Sequence, residues 1–173
     1  ILTVMGQVNL FDTVIVSWPE SHKTEEIPQN GDDGKDDDRN GDDGKDVLIS
    51  LSTNLPCLPT DSGNLAYKAA ELMVKEYGRE KTGRIHIEIE KKIPVAAGLA
   101  GGSADCAAVL HALNKLWDLK LGLGTLMALG AALGADVPFC LAGQAALNKE
   151  LNLKEEPQAS TCAVASGIGE RLE

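Results

Sequence analysis

Aromatic residues make up only 3% of this 173-residue chain, so its core must be built from Leu, Ile, Val and Ala rather than from stacked rings. No apolar run approaches the roughly 20 residues that a membrane-spanning helix needs. No basic stretch followed by an apolar one marks a secretory signal. Positive charge is scarce: 16 Lys and Arg stand against 26 Asp and Glu, a net charge of −10. Such a surface repels phosphate backbones and anionic lipid, which argues against a general nucleic-acid or membrane-surface binder. The four cysteines, Cys57, Cys106, Cys140 and Cys162, are scattered without a C-x-x-C pair, and His22, His86 and His111 stand far apart. That spacing supports no metal site; free thiols in a reducing compartment are the simpler reading. The chain opens at Ile1 in mid-pattern without an initiator Met, as a fragment would, so an upstream targeting segment stays open.

What is present is enough for one domain with a real core, since 43% of the residues are apolar. "LTVMGQVNLFDTVIVS" alternates apolar and polar residues around Asp12 and reads as two strands or one bent strand. "DVLISLS" reads as a further strand. "NLAYKAAELMVKEYG" has helical spacing, with Asn64 placed to cap it and Gly78 to stop it. "RIHIEIE" alternates strictly, as a half-buried strand does, with His86 and Glu88 on its polar face. Helical spacing returns from Ser103 to Trp117 and again in "TLMALGAALG". "ADVPFCLAGQAAL" is expected to turn at Pro138 and continue as a strand.

One segment stands apart. "NGDDGKD" at 30–36 recurs at 40–46, and residues 31–46 hold eight Asp against Lys35, Arg39 and Lys45. No apolar residue interrupts that stretch, so it reads as a solvated, disordered insertion. The carboxylate spacing does not meet the calcium-loop pattern, which needs a Glu six residues after its Gly.

The chemistry concentrates in "PVAAGLAGGSADCAAVL", Pro94 to Leu110, which joins a strand to a helix. The first N–H groups of a helix lack partners and sit at the positive end of its dipole, so they attract anions. Gly98, Gly101 and Gly102 would let the backbone approach a phosphate, and Ser103 adds a hydroxyl able to cap the helix or touch that phosphate. The sequence is neither G-x-x-x-x-G-K-S/T nor G-x-G-x-x-G. Two readings fit: a phosphate loop, or a small-residue connector that packs a helix tightly on a strand. Asp105, on the first turn, reads as a carboxylate placed to favour the helix dipole.

The same stretch, with its Pro, its Gly-Leu and its run of small residues, resembles the second motif of the GHMP kinases. Within that family it is close to the branch acting on 4-diphosphocytidyl-2-C-methyl-D-erythritol. "LTVMGQVNLFDTV", "NLAYKAAELM", "LGADVPFCLAGQAAL" and "GIGERLE" are also similar to segments of that branch, together over roughly 110 to 120 residues. The resemblance implies an α+β fold like domain 2 of ribosomal protein S5, a mixed sheet with helices on one face. It implies a nucleotide-binding domain over 1–147 with the acidic insertion at 24–46, an insertion or loop at 148–164, and the start of a truncated remainder at 165–173. It implies transfer of the ATP γ-phosphoryl group, with Mg²⁺, to the 2-hydroxyl of that cytidylyl substrate in isoprenoid synthesis.

Pro94, Val95, Ala96, Ala97, Gly98, Leu99, Ala100, Gly101, Gly102, Ser103 and Ala104 would form the ATP loop, and Asp136 would be the catalytic carboxylate. No metal ligand, nucleic-acid partner or membrane partner is implied. The family's P-x-K-x-N-L segment with its catalytic Lys has no counterpart here, which implies little or no kinase activity for this chain alone. The alternatives are another GHMP kinase, of homoserine or mevalonate type, or a non-catalytic nucleotide-binding fragment. The setting would be a bacterial cytoplasm or a plastid, and the oligomeric state is left open.

Overall fold

The computed structural model describes residues 2–18, 47–78, 81, 83–148, 161–166 and 171–172. The acidic repeat at 24–46 and most of the 148–164 stretch lie outside these residues. Among the described residues the elements follow in order: β1 (Leu2–Gly6), β2 (Thr13–Ser17), β3 (Val47–Thr53), α1 (Leu65–Tyr77), β4 (Gly83–Glu90), α2 (Gly101–Leu116), α3 (Leu123–Ala131), α4 (Val137–Leu147), β5 (Cys162–Ser166) and β6 (Arg171–Leu172).

The opening stretch is two strands that part company. β2 joins a mixed sheet of order β2-β4-β3, while β1 joins an antiparallel sheet of order β1-β5-β6. In the mixed sheet β4 is central, antiparallel to β2 and parallel to β3. Parallel pairing of β3 with β4 requires a crossover, and α1 supplies it.

The alternation in β4 decides which way the sheet faces. Ile85, Ile87 and Ile89 are fully buried against the helices, whereas Arg84, Glu88 and Glu90 face water. On the outer face the His86 ring sits between hydroxyls of β3: Ser50 Oγ is 2.9 Å from Nδ1 and Ser52 Oγ is 3.4 Å from Nε2. These contacts give His86 a structural place in the ladder.

α1 lays Ala66, Ala69, Ala70 and Met73 against α2, whose buried stripe includes Ala107, Val109, Leu110 and Leu113. The expected boundaries of α1 hold, because Asn64 Oδ1 accepts from the Ala66 N–H at 3.0 Å and the Gly78 N–H returns to the Val74 carbonyl at 2.8 Å. Trp18 and Trp117 meet edge to face at 5.4 Å, tying the end of β2 to the end of α2.

The segment from Val137 to Leu147 is a helix, not the expected turn and strand. Pro138 lies in its first turn, where a missing N–H costs no hydrogen bond and the fixed φ suits a helix. The apolar run behind it is buried on several sides, between α2 and α3, so no polar face reveals its period. Cys57, Cys106 and Cys140 are free thiols, with Cys106 and Cys140 buried. Among the described residues no helix is long and apolar enough to cross a membrane.

Candidate phosphate site

The chain leaves β4 at Glu90, passes through the glycine loop and enters α2. Positive φ recurs at alternate positions: 58° at Ala96, 72° at Gly98 and 53° at Ala100. Only glycine takes this conformation without cost, and each alanine there gives up about 1–2 kcal/mol. Ala100 caps α2 in the left-handed conformation and offers no side-chain oxygen. The helix therefore starts at Gly101, two residues before the expected start at Ser103, and Ser103 is not its cap.

The first intrahelical bond runs from the Ala104 N–H to the Ala100 carbonyl. No N–H from Gly98 to Ser103 has an acceptor among the described residues. Left-handed residues alternating with ordinary ones turn successive amides to one side, and such concavities bind anions. Val95 and Leu99 stand exposed on the rim.

The three glycines do different jobs. Gly98 supplies the positive φ in open space. Gly101 is helical, and its missing side chain makes room: a Cβ there would lie 2.8 Å from Lys91 Nζ and 2.9 Å from Ile93 Cγ2. Gly102 is exposed, and its Cβ would meet only Leu65 Cδ1, at 3.8 Å. Gly98 thus serves the loop's curvature, and Gly101 the close packing that the connector reading expects.

Beneath Gly101 lies a cluster of buried charges that the local pattern did not announce. Lys91 Nζ donates to Asp12 Oδ2 at 2.5 Å and to Asp105 Oδ2 at 2.7 Å, and all three side chains are at most 5% exposed. Asp12 Oδ1 accepts the N–H groups of Lys92 and Ile93, at 2.6 and 2.8 Å. Asn54 clamps the Lys91 backbone, accepting its N–H at 2.8 Å and donating to its carbonyl at 3.2 Å.

The two carboxylates differ. Burial pushes Asp12 up, but the hydrogen bond from Lys91 and the two backbone N–H groups outweigh it and hold Asp12 below its usual value. Burial raises Asp105 to about 6, and Lys91 offsets only part of that. The physical difference is Asp105 Oδ1, which is buried with no hydrogen-bond partner. Asp105 is therefore not the first-turn, dipole-stabilising residue expected: α2 starts at Gly101, which puts Asp105 beyond the first turn, 4% exposed and bound to an ammonium.

A signal for this cluster existed. Continuing the period of two in β4 puts Lys91 on the same face as Ile85, Ile87 and Ile89. The same step backward from Val14 and Val16 puts Asp12 on the buried side of β2. A charge on an apolar stripe needs a partner, and each supplies the other's.

Asp136 immediately precedes α4. Its turn lies beside the loop, since a Cβ at Gly134 would come within 4.0 Å of Ser103 Oγ. Gln144 Nε2 on α4 donates to the Ala104 carbonyl at 2.9 Å, fixing α4 against the start of α2. The Asp136 carboxylate is half-buried and makes no hydrogen bond or ion pair among the described residues.

Residues 64–144 match the GHMP kinases N terminal domain. A 4-diphosphocytidyl-2-C-methyl-D-erythritol kinase from a Synechococcus species is 57% identical over 95 residues, 55% of this chain and 30% of that protein. Its counterpart in Caldicellulosiruptor bescii is 49% identical over 115 residues, 64% of this chain and 40% of that one. The chain thus spans about a third of the length of the curated relatives it matches. A crystal structure of 4-(cytidine 5'-diphospho)-2C-methyl-D-erythritol kinase superposes over 99% of this chain and 44% of its own, with a TM-score of 0.61 at 30% identity. Homoserine kinase from Cytophaga hutchinsonii shares the fold, with a TM-score of 0.52 at 21% identity. Matched segment, relatives and architecture agree: residues 64–144 are similar to the N-terminal domain of the GHMP kinases, and the chain shares the fold of the two kinase structures.

Proposed function

We propose that this chain is the nucleotide-binding part of an ATP-dependent kinase that phosphorylates the 2-hydroxyl of 4-diphosphocytidyl-2-C-methyl-D-erythritol, a step of isoprenoid synthesis. The observation that carries the proposal is the unbroken run of unpartnered amides from Gly98 to Ser103 at the N-terminus of α2. The names of the relatives support the choice of acceptor. Their organisms fit a bacterial cytoplasmic setting.

Phosphoryl transfer asks a protein mainly to position its reactants and to balance charge. Pro94 to Ala104 wrap the polyphosphate. The amides of Gly98 to Ser103 donate to its oxygens, and the positive end of the α2 dipole adds to their field. The loop fits that group because its donors are free and no side chain stands at Gly98, Gly101 or Gly102. The bound Mg²⁺ nucleotide supplies the transferable phosphoryl group. Asp136, fixed at a helix start and free of partners, orients the acceptor hydroxyl and accepts its proton.

Calorimetric titration of the chain with MgATP tests the loop. Gly98→Val places a β-branched residue at a positive φ that it resists, while the open space around Gly98 spares the core. About 1.4 kcal/mol of lost loop geometry weakens binding about tenfold. Equal affinity of the variant and the parent would remove the loop from the function.

A further inference from the structure

One cluster ties both ends of the glycine loop. Asp12 Oδ1 holds the N–H groups of Lys92 and Ile93, the last two residues before Pro94. Lys91 Nζ fills the space left by Gly101 at the loop's far end and binds Asp105 one turn into α2. Asn54 fixes the Lys91 backbone from β3. With both carboxylates ionised the cluster carries one net negative charge, buried next to amides that await an anion. Two negative charges at close range in a poorly polarisable interior oppose each other.

Only one group in the cluster can relieve this. Asp12 is held ionised by two backbone donors and Lys91. Asp105 has a buried oxygen without a partner and already lies near 6. The other groups that act here do not compete for the proton. The Cys106 thiol neighbours Asp105 on α2, the Cys140 thiol faces it from α4, and burial pushes both up to about 12. Asp136, before α4, adds further negative charge near Cys140.

We propose that the Asp12–Lys91–Asp105 cluster positions the glycine loop and takes up one proton on Asp105 when an anion occupies that loop. The proton comes from solvent and bonds to the free Asp105 oxygen; no other bond changes. The proposal rests on the reading of the loop as a phosphate site. In it Asp105 and Lys91 are positioning residues that touch no substrate atom.

The test is calorimetry of MgADP binding to the whole chain between pH 5.5 and 8, in pairs of buffers with different ionisation enthalpies. It is run on the parent and on Asp105→Asn, which mimics the neutral acid. Near pH 6.5 the parent takes up about half a proton more per MgADP than the variant, whose own signal subtracts any protonation of the nucleotide. Parent affinity falls about fivefold from pH 6 to 8, the consequence of a one-unit rise in the Asp105 pKa on binding. Asp105→Asn shows no such fall and at pH 8 binds as tightly as the parent does at pH 6.

A merely structural role for Asp105 would weaken the variant equally at every pH, and equal proton uptake by both proteins overturns the proposal. Should the variant not fold, the carboxyl ¹³C shift of Asp105 in the parent decides. Its midpoint must rise by about one unit when MgADP binds, and an unmoved midpoint refutes the coupling. If the folded parent binds no MgADP at any pH, the phosphate-loop reading falls first and this proposal with it.

Discussion

Replacing Gly101 and Gly102 by alanine, one at a time, separates two roles that look identical in sequence. Both residues sit in the first turn of α2, where alanine would gain up to about 1 kcal/mol of helix propensity. At Gly101 the new Cβ would lie 2.8 Å from Lys91 Nζ and 2.9 Å from Ile93 Cγ2. Neither neighbour yields cheaply. Lys91 is the end of a flexible side chain, but two buried carboxylates hold it. Ile93 is 6% exposed, and its Cγ2 is one bond from the branch point. Overpacking of this kind costs about 1–3 kcal/mol, which leaves Gly101→Ala destabilised by about 1–2 kcal/mol. For a chain of this size that lowers the melting temperature by about 2–8 °C. At Gly102 the nearest atom is Leu65 Cδ1 at 3.8 Å, an ordinary contact. Gly102→Ala should be unchanged or up to about 1 kcal/mol more stable. Urea unfolding followed by circular dichroism at the helix band reads both. Equal stabilities, or a Gly101→Ala more stable than the parent, would refute the packing described around Lys91.

Lys91→Met strands two buried carboxylates without their ammonium, and chemical denaturation at neutral pH should show a loss of roughly 3–5 kcal/mol that shrinks as acid neutralises them. Asp105 also shapes the pH dependence of the parent. Its folded value of about 6 lies above its ordinary 3.8, so the folded state binds more protons than the unfolded one between those values. The Asp105 contribution is fully present below about pH 4 and fades as pH rises through 6. Asp12, held low, works in the opposite sense and is lost as pH falls below 3.8. Subtracting the urea stability curve of Asp105→Asn from that of the parent between pH 4 and 7 should leave a difference that turns against the parent as pH rises. Leu110→Ala, at a fully buried position of α2, should cost about 2–5 kcal/mol in the same assay.

Much of the fold was legible because its signals are local. Asn64 and Gly78 bracket α1 by their own hydrogen bonds, and the strict alternation of 84–90 gives both β4 and its buried face. The loop was legible as a place where backbone chemistry collects. What escaped depends on contacts across the chain. α4 hides its period because its neighbours bury it on several sides, and Pro138 reads as a stop unless it is known to stand in a first turn. Asp105 was read from its own helix alone. Its true partner is 14 residues away on a strand end, and that partner's other ligand is 79 residues away from it. Extending the alternation past Glu90 to Lys91 would have asked for those carboxylates.

Amide chemical shifts of the ¹⁵N-labelled chain, followed as MgADP is added, test the central claim most directly. The largest changes should fall on the N–H groups of Gly98 to Ser103, which gain acceptors, with smaller ones at the 134–136 turn. Saturable binding that leaves the 98–103 amides unmoved while signals elsewhere shift would contradict the account.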